Sequence, residues 1–225
     1  MTLPLIFSYP GVCSRVTMTA LEEIGAPYED RWIDIMAQAQ YAPDYLAMNR
    51  KSKVPALAVG AKTLTENAAI LHYLHLENPT AKLLPRTGQA MDDAQGLSDL
   101  IWCGGMLHPM VRQIRAPHKW TTATDPAQTA NIRTDGIQKL TKECDYIESR
   151  LSGGTWWYGA DWSIVDTYLY WVVDTAKKGG FPADNFPAIA EHASRVRARP
   201  SFQRMLEREI SALTSAGLSI DPTSL

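Results

Sequence analysis

Hydrophobic and polar positions follow different periods in the two parts of the chain. In the first part, short apolar runs predict buried strands at Leu3–Ser8, Tyr28–Ile33 and Pro55–Val59. Between the first two, Ser14–Gly25 carries apolar residues on one helical face and ends at a glycine, which predicts a helix. Strands that alternate with helices are typical of an α/β layer, in which helices pack on a small sheet.

From residue 89 onward the strand pattern is absent and long stretches have helical spacing. These stretches are Gln89–Ala116, Pro126–Leu151, Ser163–Lys178, Pro187–Arg199 and Ser201–Ala216. Ser163 and Asp166 have the spacing of a capping box at the start of the third stretch. The pattern therefore predicts an α/β domain over residues 1–78, a linker over 79–88 and an all-helical domain over 89–225.

Charge and hydropathy exclude two classes of partner. The 225 residues include 22 Lys and Arg against 24 Asp and Glu, a formal net charge of −2, so the chain has no basic field that would hold nucleic acid. No apolar run approaches the length of about 20 residues that spans a bilayer. The N-terminus also lacks the pattern of a secretory signal. We therefore expect a cytoplasmic protein without a nucleic-acid or membrane partner.

The cysteines and histidines do not form a metal or disulfide pattern. Cys13, Cys103 and Cys144 are odd in number and far apart, which favours reduced thiols. His72 and His75 lie one helical turn apart, but no further ligands stand at metal spacing around them. We expect no metal site.

One cysteine has a position that suits thiol chemistry. Cys13 follows Pro10 and Gly11 at the predicted start of the first helix, where unpaired N–H groups favour an anion and make a cysteine more reactive. Ser14 offers a hydroxyl at the same helix end. No second cysteine follows three residues on, so any redox chemistry needs an external thiol. An inert buried thiol is the alternative interpretation of Cys13.

Two further positions suit a peptide ligand with charged ends. A proline at a strand start leaves the backbone of Val54 available to pair with an extended peptide, and the bond before Pro55 is a candidate for the cis form. Glu66 and Asn67 open a predicted helix, where backbone N–H groups bind a carboxylate and Glu66 pairs with an ammonium. An edge-strand proline and a plain helix cap are the alternatives.

Four segments together resemble the glutathione S-transferase family, and the resemblance extends over almost the whole chain. They are Ser8–Ser14, Lys53–Leu57, Leu64–Leu71 and Ala160–Asp166. The resemblance implies a thioredoxin-like N-terminal domain with a cis proline at Pro55, an all-helical C-terminal domain and a homodimer.

The same resemblance implies glutathione as co-substrate. It implies that the backbone of Val54 pairs with the cysteinyl part of glutathione and that Glu66 and Asn67 hold its γ-glutamyl end. Lys53 is then expected near a glutathione carboxylate. Asn67 departs from the family pattern, in which a serine is usual at this place, so its hydrogen bonds have a different reach.

Within the family, the segment around Cys13 is most similar to the bacterial beta type, in which the cysteine lies beside the glutathione sulfur and forms a mixed disulfide with it. His108 matches the histidine that beta-type enzymes place over the active site. A structural histidine is the alternative, and Pro109 departs from the basic residue expected after it. Arg15 after Ser14 is more similar to the serine-using classes, in which the hydroxyl binds the glutathione thiolate. The choice between Cys13 and Ser14 stays open at this point.

Arg112 is a candidate for binding an anionic substrate, with a solvated helix charge as the alternative.

Three functions follow from these residues. The first is a glutathione transferase of the detoxification type, in which the thiolate attacks a small hydrophobic electrophile bound by the helical domain. The second is a glutathione-dependent thiol transferase or deglutathionylase that uses Cys13. The third is a non-catalytic binding or scaffold protein of the same fold. The tail Leu218–Leu225 is expected either to fray or to close over the pocket.

Overall fold

The computed structural model describes residues 3–217, so the tail Leu218–Leu225 lies outside the described residues. The described chain divides into two compact units. The first consists of residues 3–83 together with 198–217, and the second of residues 84–197. The predicted range 89–225 for the helical domain therefore contains one helix that belongs to the first unit.

A four-stranded sheet forms the centre of the first unit. Its strands are β1 (Leu5–Ser8), β2 (Glu29–Trp32), β3 (Ala56–Val59) and β4 (Lys62–Thr65), in the order β2-β1-β3-β4. β1 pairs with β2 in parallel, and the other two pairings are antiparallel. Ile6 and Phe7 of the central strand β1 are fully buried, which agrees with the apolar run that predicted this strand.

Four α-helices accompany this sheet in the first unit. They are α1 (Ser14–Ile24), α2 (Pro43–Met48), α3 (Asn67–Glu77) and α9 (Pro200–Ser215). The helix α1 ends at Gly25, whose φ of 72° lies in the left-handed region that favours glycine. The peptide bond between Val54 and Pro55 is cis. The strand, helix and cis-proline order confirms the predicted thioredoxin-like N-terminal domain.

Charged residues hold α9 against α1. Nη2 of Arg15 lies 2.6 Å from Oε2 of Glu209, and both side chains are 1% exposed. At the other end of α1, Glu22 pairs with Arg204 at 3.1 Å and with Arg208 at 2.5 Å. These contacts explain why the last described helix packs with the first unit, although the sequence places it at the end of the helical part.

The second unit is helical, as predicted. Its α-helices are α4 (Ala90–Trp102), α5 (His108–Arg115), α6 (Pro126–Leu151), α7 (Ile164–Lys177) and α8 (Pro187–Arg197). The helix α7 forms its core, since Ile164, Val165 and Val172 are fully buried. Among the described residues no helix is both long and apolar enough to cross a membrane.

The predicted single helix Gln89–Ala116 is wrong in its middle, because Cys103–Leu107 forms a π-helical segment between α4 and α5. Pro109 has no N–H for the α-helical bond to the carbonyl four residues earlier. A Cβ on Gly104 would lie 3.2 Å from the hydroxyl of Tyr168, so this turn also packs closely. Proline and close packing together account for the widened turn.

The predicted capping box at the start of α7 is confirmed. Ser163 and Asp166 exchange the two hydrogen bonds, and Oδ2 of Asp166 accepts from the backbone N–H of Ser163 at 2.7 Å. Oδ1 of the same carboxylate accepts from the backbone N–H of Trp157 at 2.7 Å and lies 2.8 Å from Nε2 of His192. One buried carboxylate therefore joins the helix start, the preceding loop and α8.

Candidate active site

The turn between β1 and α1 places Cys13 at a helix start. Gly11 has a φ of 75°, which favours glycine, and its N–H donates to Oε1 of Glu209 at 3.1 Å. Cys13 is the N-cap residue of α1 and is 8% exposed. The turn therefore holds the thiol at the end of the helix that favours an anion.

Two other predicted site residues contact Cys13. Its Sγ donates to the carbonyl oxygen of Val54 at 3.6 Å, directly before the cis proline. Its own carbonyl oxygen accepts from Nδ2 of Asn67 at 2.9 Å. Segments 41 and 54 residues away in sequence are thus joined to Cys13, the first through its thiol and the second through its backbone carbonyl.

The hydroxyl of Ser14 is buried and bonded within the turn. Ser14 is fully buried. Its Oγ donates to the carbonyl oxygen of Tyr9 at 3.0 Å and lies 3.2 Å from the N–H of Tyr9, which donates to it. The hydroxyl therefore closes the turn that precedes Cys13.

The start of α3 presents a carboxylate to solvent and an amide to the interior. Glu66 is exposed, has a φ of 72°, and its Oε1 lies 2.6 Å from Nζ of Lys51. Asn67 is buried, and its Oδ1 accepts from the hydroxyl of Thr17. Glu66 and Asn67 thus have different surroundings, although the sequence analysis expected both to hold the γ-glutamyl end of glutathione.

Lys53 contributes its backbone to the loop before the cis proline. Its carbonyl oxygen accepts from the hydroxyl of Tyr45 at 2.6 Å and from Nδ2 of Asn49 at 2.7 Å. The residue itself is exposed. These two hydrogen bonds fix the backbone that leads to Val54. They also fix the backbone of Lys53, which carries the exposed ammonium group.

His108 and Arg112 lie in the second unit, four residues apart on α5. The ring of His108 packs edge-to-face on Trp171, with centroids 4.6 Å apart. Arg112 is exposed. Their spacing puts both side chains on one face of the helix.

Burial suppresses the ionisation of two of the three cysteines. Burial, with nearby acidic charges, raises the pKa of Cys144 to about 12 and that of Cys103 well above its ordinary value. Both are fully buried and free of disulfides. They stay protonated at neutral pH, which leaves Cys13 as the thiol placed for chemistry. Burial and the charge of Asp34 raise the pKa of Tyr9, so this phenol also stays protonated.

The sequence interpretation missed three residues that contact the site. Thr17 follows Cys13 by one helical turn, a spacing that could have indicated a shared face. Lys51 lies near Lys53 without a local signal for its pairing with Glu66. Glu209 is 194 residues from its partner Arg15, a separation that no local pattern bridges.

The comparisons with known proteins match both parts of the chain. Residues 5–75 match the family model described as Glutathione S-transferase, N-terminal domain, and residues 117–209 the one described as Glutathione S-transferase, C-terminal domain. Glutathione S-transferase GST-4.5 of Xanthomonas campestris pv. campestris is 26% identical over 204 residues, which cover 91% of this chain and 98% of that protein. Disulfide-bond oxidoreductase YfcG of Escherichia coli strain K12 is 27% identical over 194 residues, covering 83% and 86%.

Solved structures show the same architecture. A glutathione transferase homologue from Sulfitobacter, crystallised with bound glutathione, has a TM-score of 0.79 and 26% identity, and covers 97% of this chain and 100% of that chain. The bacterial beta class glutathione S-transferase of Sphingomonas chungbukensis has a TM-score of 0.78 and 26% identity, covering 91% and 98%. With matches in both domains, near-full-length relatives and a shared fold, the chain belongs to the glutathione S-transferase family.

Proposed function

We propose that the protein activates the thiol of glutathione for attack on a small hydrophobic electrophile, with Cys13 beside the glutathione sulfur. The observation that carries this proposal is the 3.6 Å contact between Sγ of Cys13 and the carbonyl oxygen of Val54. The backbone of Val54 is the edge on which an extended peptide pairs. A tripeptide paired there has its central cysteinyl residue next to Cys13.

The charged ends of glutathione have partners on either side of that edge. Glu66 takes the γ-glutamyl ammonium, and the backbone N–H groups at the start of α3 take its carboxylate. Glu66 pairs with Lys51 in the structure, and both side chains are partly exposed. Exposed pairs of this kind contribute only about 0.2–1 kcal/mol, so the ligand ammonium replaces Lys51 at small cost. Lys53 takes the other carboxylate of the tripeptide.

The helix start supplies the activation. The bound thiol loses its proton to solvent water, and the N–H groups of the first turn of α1 stabilise the anion that attacks the electrophile. The hydroxyl of Ser14 is a weaker candidate for binding the glutathione thiolate, because it is buried and hydrogen-bonded to Tyr9. In the second unit, His108 and Arg112 are the proposed substrate-binding residues, the first to polarise an electrophile and the second to pair with an anionic group.

Thiol transfer is the second candidate, and it is favoured by the position of Cys13 and by the likeness to YfcG. In that reaction the Cys13 thiolate attacks the glutathione sulfur of a mixed disulfide, and the substrate thiolate leaves. A second glutathione thiolate then attacks the enzyme-bound disulfide, which restores Cys13 and releases oxidised glutathione. A scaffold without chemistry does not account for a thiol held at a peptide-binding edge. From its family membership we also propose that the protein is a cytoplasmic homodimer with a role in detoxification.

Replacement of Cys13 by alanine tests the role of this thiol. We expect Cys13→Ala to lower conjugation of glutathione to 1-chloro-2,4-dinitrobenzene at least tenfold and to abolish reduction of a mixed disulfide of glutathione. Calorimetric binding of S-methyl glutathione is expected to persist, since its backbone partners remain. Cys144→Ala is the control, because that thiol is buried in the second unit.

The outcomes separate the candidates. Full conjugation activity in Cys13→Ala, with loss in Ser14→Ala, would assign activation to the serine. Loss of disulfide reduction alone would assign Cys13 to thiol transfer only. If neither glutathione nor S-methyl glutathione binds the unmodified protein at millimolar concentration, the proposed function is wrong.

A further inference from the structure

The side-chain amide of Asn67 is engaged at both of its ends. Its Oδ1 accepts from the hydroxyl of Thr17, and its Nδ2 donates to the carbonyl oxygen of Cys13 at 2.9 Å. The residue is 7% exposed. Cys13 and Thr17 lie one turn apart on α1, so a single amide joins the first turn of α1 to the first residue of α3.

These contacts act on the backbone that carries the thiol. The carbonyl oxygen of Cys13 accepts from the N–H of Val16 at 3.2 Å as well as from Asn67 at 2.9 Å. Two donors on one carbonyl fix the orientation of the peptide plane between Cys13 and Ser14. That plane sets both the direction of the thiol and the N–H groups that face a bound anion.

We infer that Asn67 is a positioning residue that holds Cys13 at the start of α1, and that its side chain does not bind glutathione. The inference rests on the proposed function, which puts Cys13 beside the glutathione thiol. It differs from the prediction drawn from sequence, in which Asn67 shares the γ-glutamyl end with Glu66. That end is bound instead by Glu66 and by backbone N–H groups at the start of α3.

Side-chain length explains why asparagine serves this purpose. The hydroxyl of a serine is attached to Cβ, whereas the amide nitrogen of asparagine is one bond farther out and also carries an acceptor beside it. Only the longer group reaches the Cys13 carbonyl and the Thr17 hydroxyl at the same time. A serine at residue 67 would leave both groups on α1 without this partner.

The test measures ligand affinity, turnover and the reactivity of Cys13 separately. The variants are Asn67→Ala, Asn67→Ser and Thr17→Val. The last removes the hydroxyl contact and leaves in place the hydrogen bond from Nδ2 of Asn67 to the carbonyl oxygen of Cys13. Calorimetry with S-methyl glutathione gives Kd, and conjugation of 1-chloro-2,4-dinitrobenzene gives kcat. Alkylation by iodoacetamide in the absence of glutathione, followed by peptide mass spectrometry, gives the rate at each cysteine.

We expect both Asn67 variants to keep Kd within about threefold of the unmodified protein and to lower kcat at least tenfold. Alkylation of Cys13 becomes at least threefold faster, because the carbonyl that holds this buried residue is released. Alkylation of Cys103 and Cys144 stays unchanged, since they lie in the core of the second unit. Thr17→Val shows the same changes to a smaller extent.

Three results would overturn the inference. A Kd at least tenfold weaker, with kcat and Cys13 alkylation unchanged, would make Asn67 a ligand contact. Faster alkylation of all three cysteines would make it a residue of general stability, and no change in any measurement would give it no role. The alkylation experiment needs no glutathione. It therefore tests whether Asn67 positions Cys13 even if the proposed function is wrong.

Discussion

At the scale of single residues, the buried pair of Arg15 and Glu209 is expected to have a large effect on stability. Both side chains are 1% exposed, and Glu209 also accepts from the N–H of Gly11. Removing one member of such a pair leaves the other charge buried, which costs about 3–5 kcal/mol. We therefore expect Glu209→Ala to lower the free energy of unfolding by about this amount, measured by urea titration.

The control for this prediction is Glu191→Ala. The side chain of Glu191 is 74% exposed and pairs with Arg195 one turn later on α8, and an ion pair with a solvent-exposed carboxylate contributes little. Its free energy of unfolding is expected to stay within about 0.5 kcal/mol of the unmodified protein. Equal losses in the two variants would show that the burial of Glu209 is irrelevant.

At the scale of elements, the contact between α1 and α9 depends on ionised Glu22. Burial raises the pKa of Glu22, but hydrogen bonds from Tyr28 and Arg208 outweigh it and hold the pKa below the ordinary value of 4.5. A carboxyl whose pKa is lower in the folded state stabilises fully above its unfolded pKa, and this stabilisation is lost as the pH falls through the folded value. We expect Glu22→Gln to lower Tm at pH 7, and the difference to shrink below about pH 4.5.

Thermal unfolding followed by circular dichroism between pH 7 and pH 3 checks the prediction. Glu191→Gln is the matched control, since the carboxylate of Glu191 is 74% exposed and its ion pair with Arg195 lies within one helix. A difference in Tm between Glu22→Gln and the unmodified protein that stays constant over this range would contradict the role of the ionised carboxylate.

At the scale of the whole molecule, the first unit is built from two separate parts of the chain. Ending the protein after Arg197 removes α9, which supplies Glu209 to both Gly11 and Arg15. We expect this shortened protein to lose measurable binding of S-methyl glutathione, because the turn before Cys13 loses its support. Calorimetry measures the loss, and addition of a synthetic peptide of residues 198–225 is expected to restore part of the binding. Unchanged affinity without the peptide would contradict the prediction.

Local sequence patterns predicted most elements of the fold. The apolar run through Ile6 and Phe7 predicted β1, and the spacing of Ser163 and Asp166 predicted the capping box, because both signals lie within a few residues. Periodicity did not reveal the π-helical segment at Cys103–Leu107, because a period is judged over about 11–18 residues and this segment has five.

The candidate site was predictable as a set of residues and not as a set of contacts. The positions of Cys13 and Val54 followed from a helix start and a strand-initial proline. The partners of Asn67 did not, because an amide at a helix start serves a ligand or a neighbouring helix equally well. Long-range pairs such as Arg15 with Glu209 leave no local trace.

The divided first unit also has a consequence for how the protein is made. A ribosome adds about 5–20 residues each second, so the 126 residues between positions 83 and 209 take about 6–25 s. During that interval Arg15 has been synthesised and the carboxylate that neutralises it has not. The contiguous second unit can complete its folding first, and the turn that carries Cys13 is finished only when translation has passed Glu209.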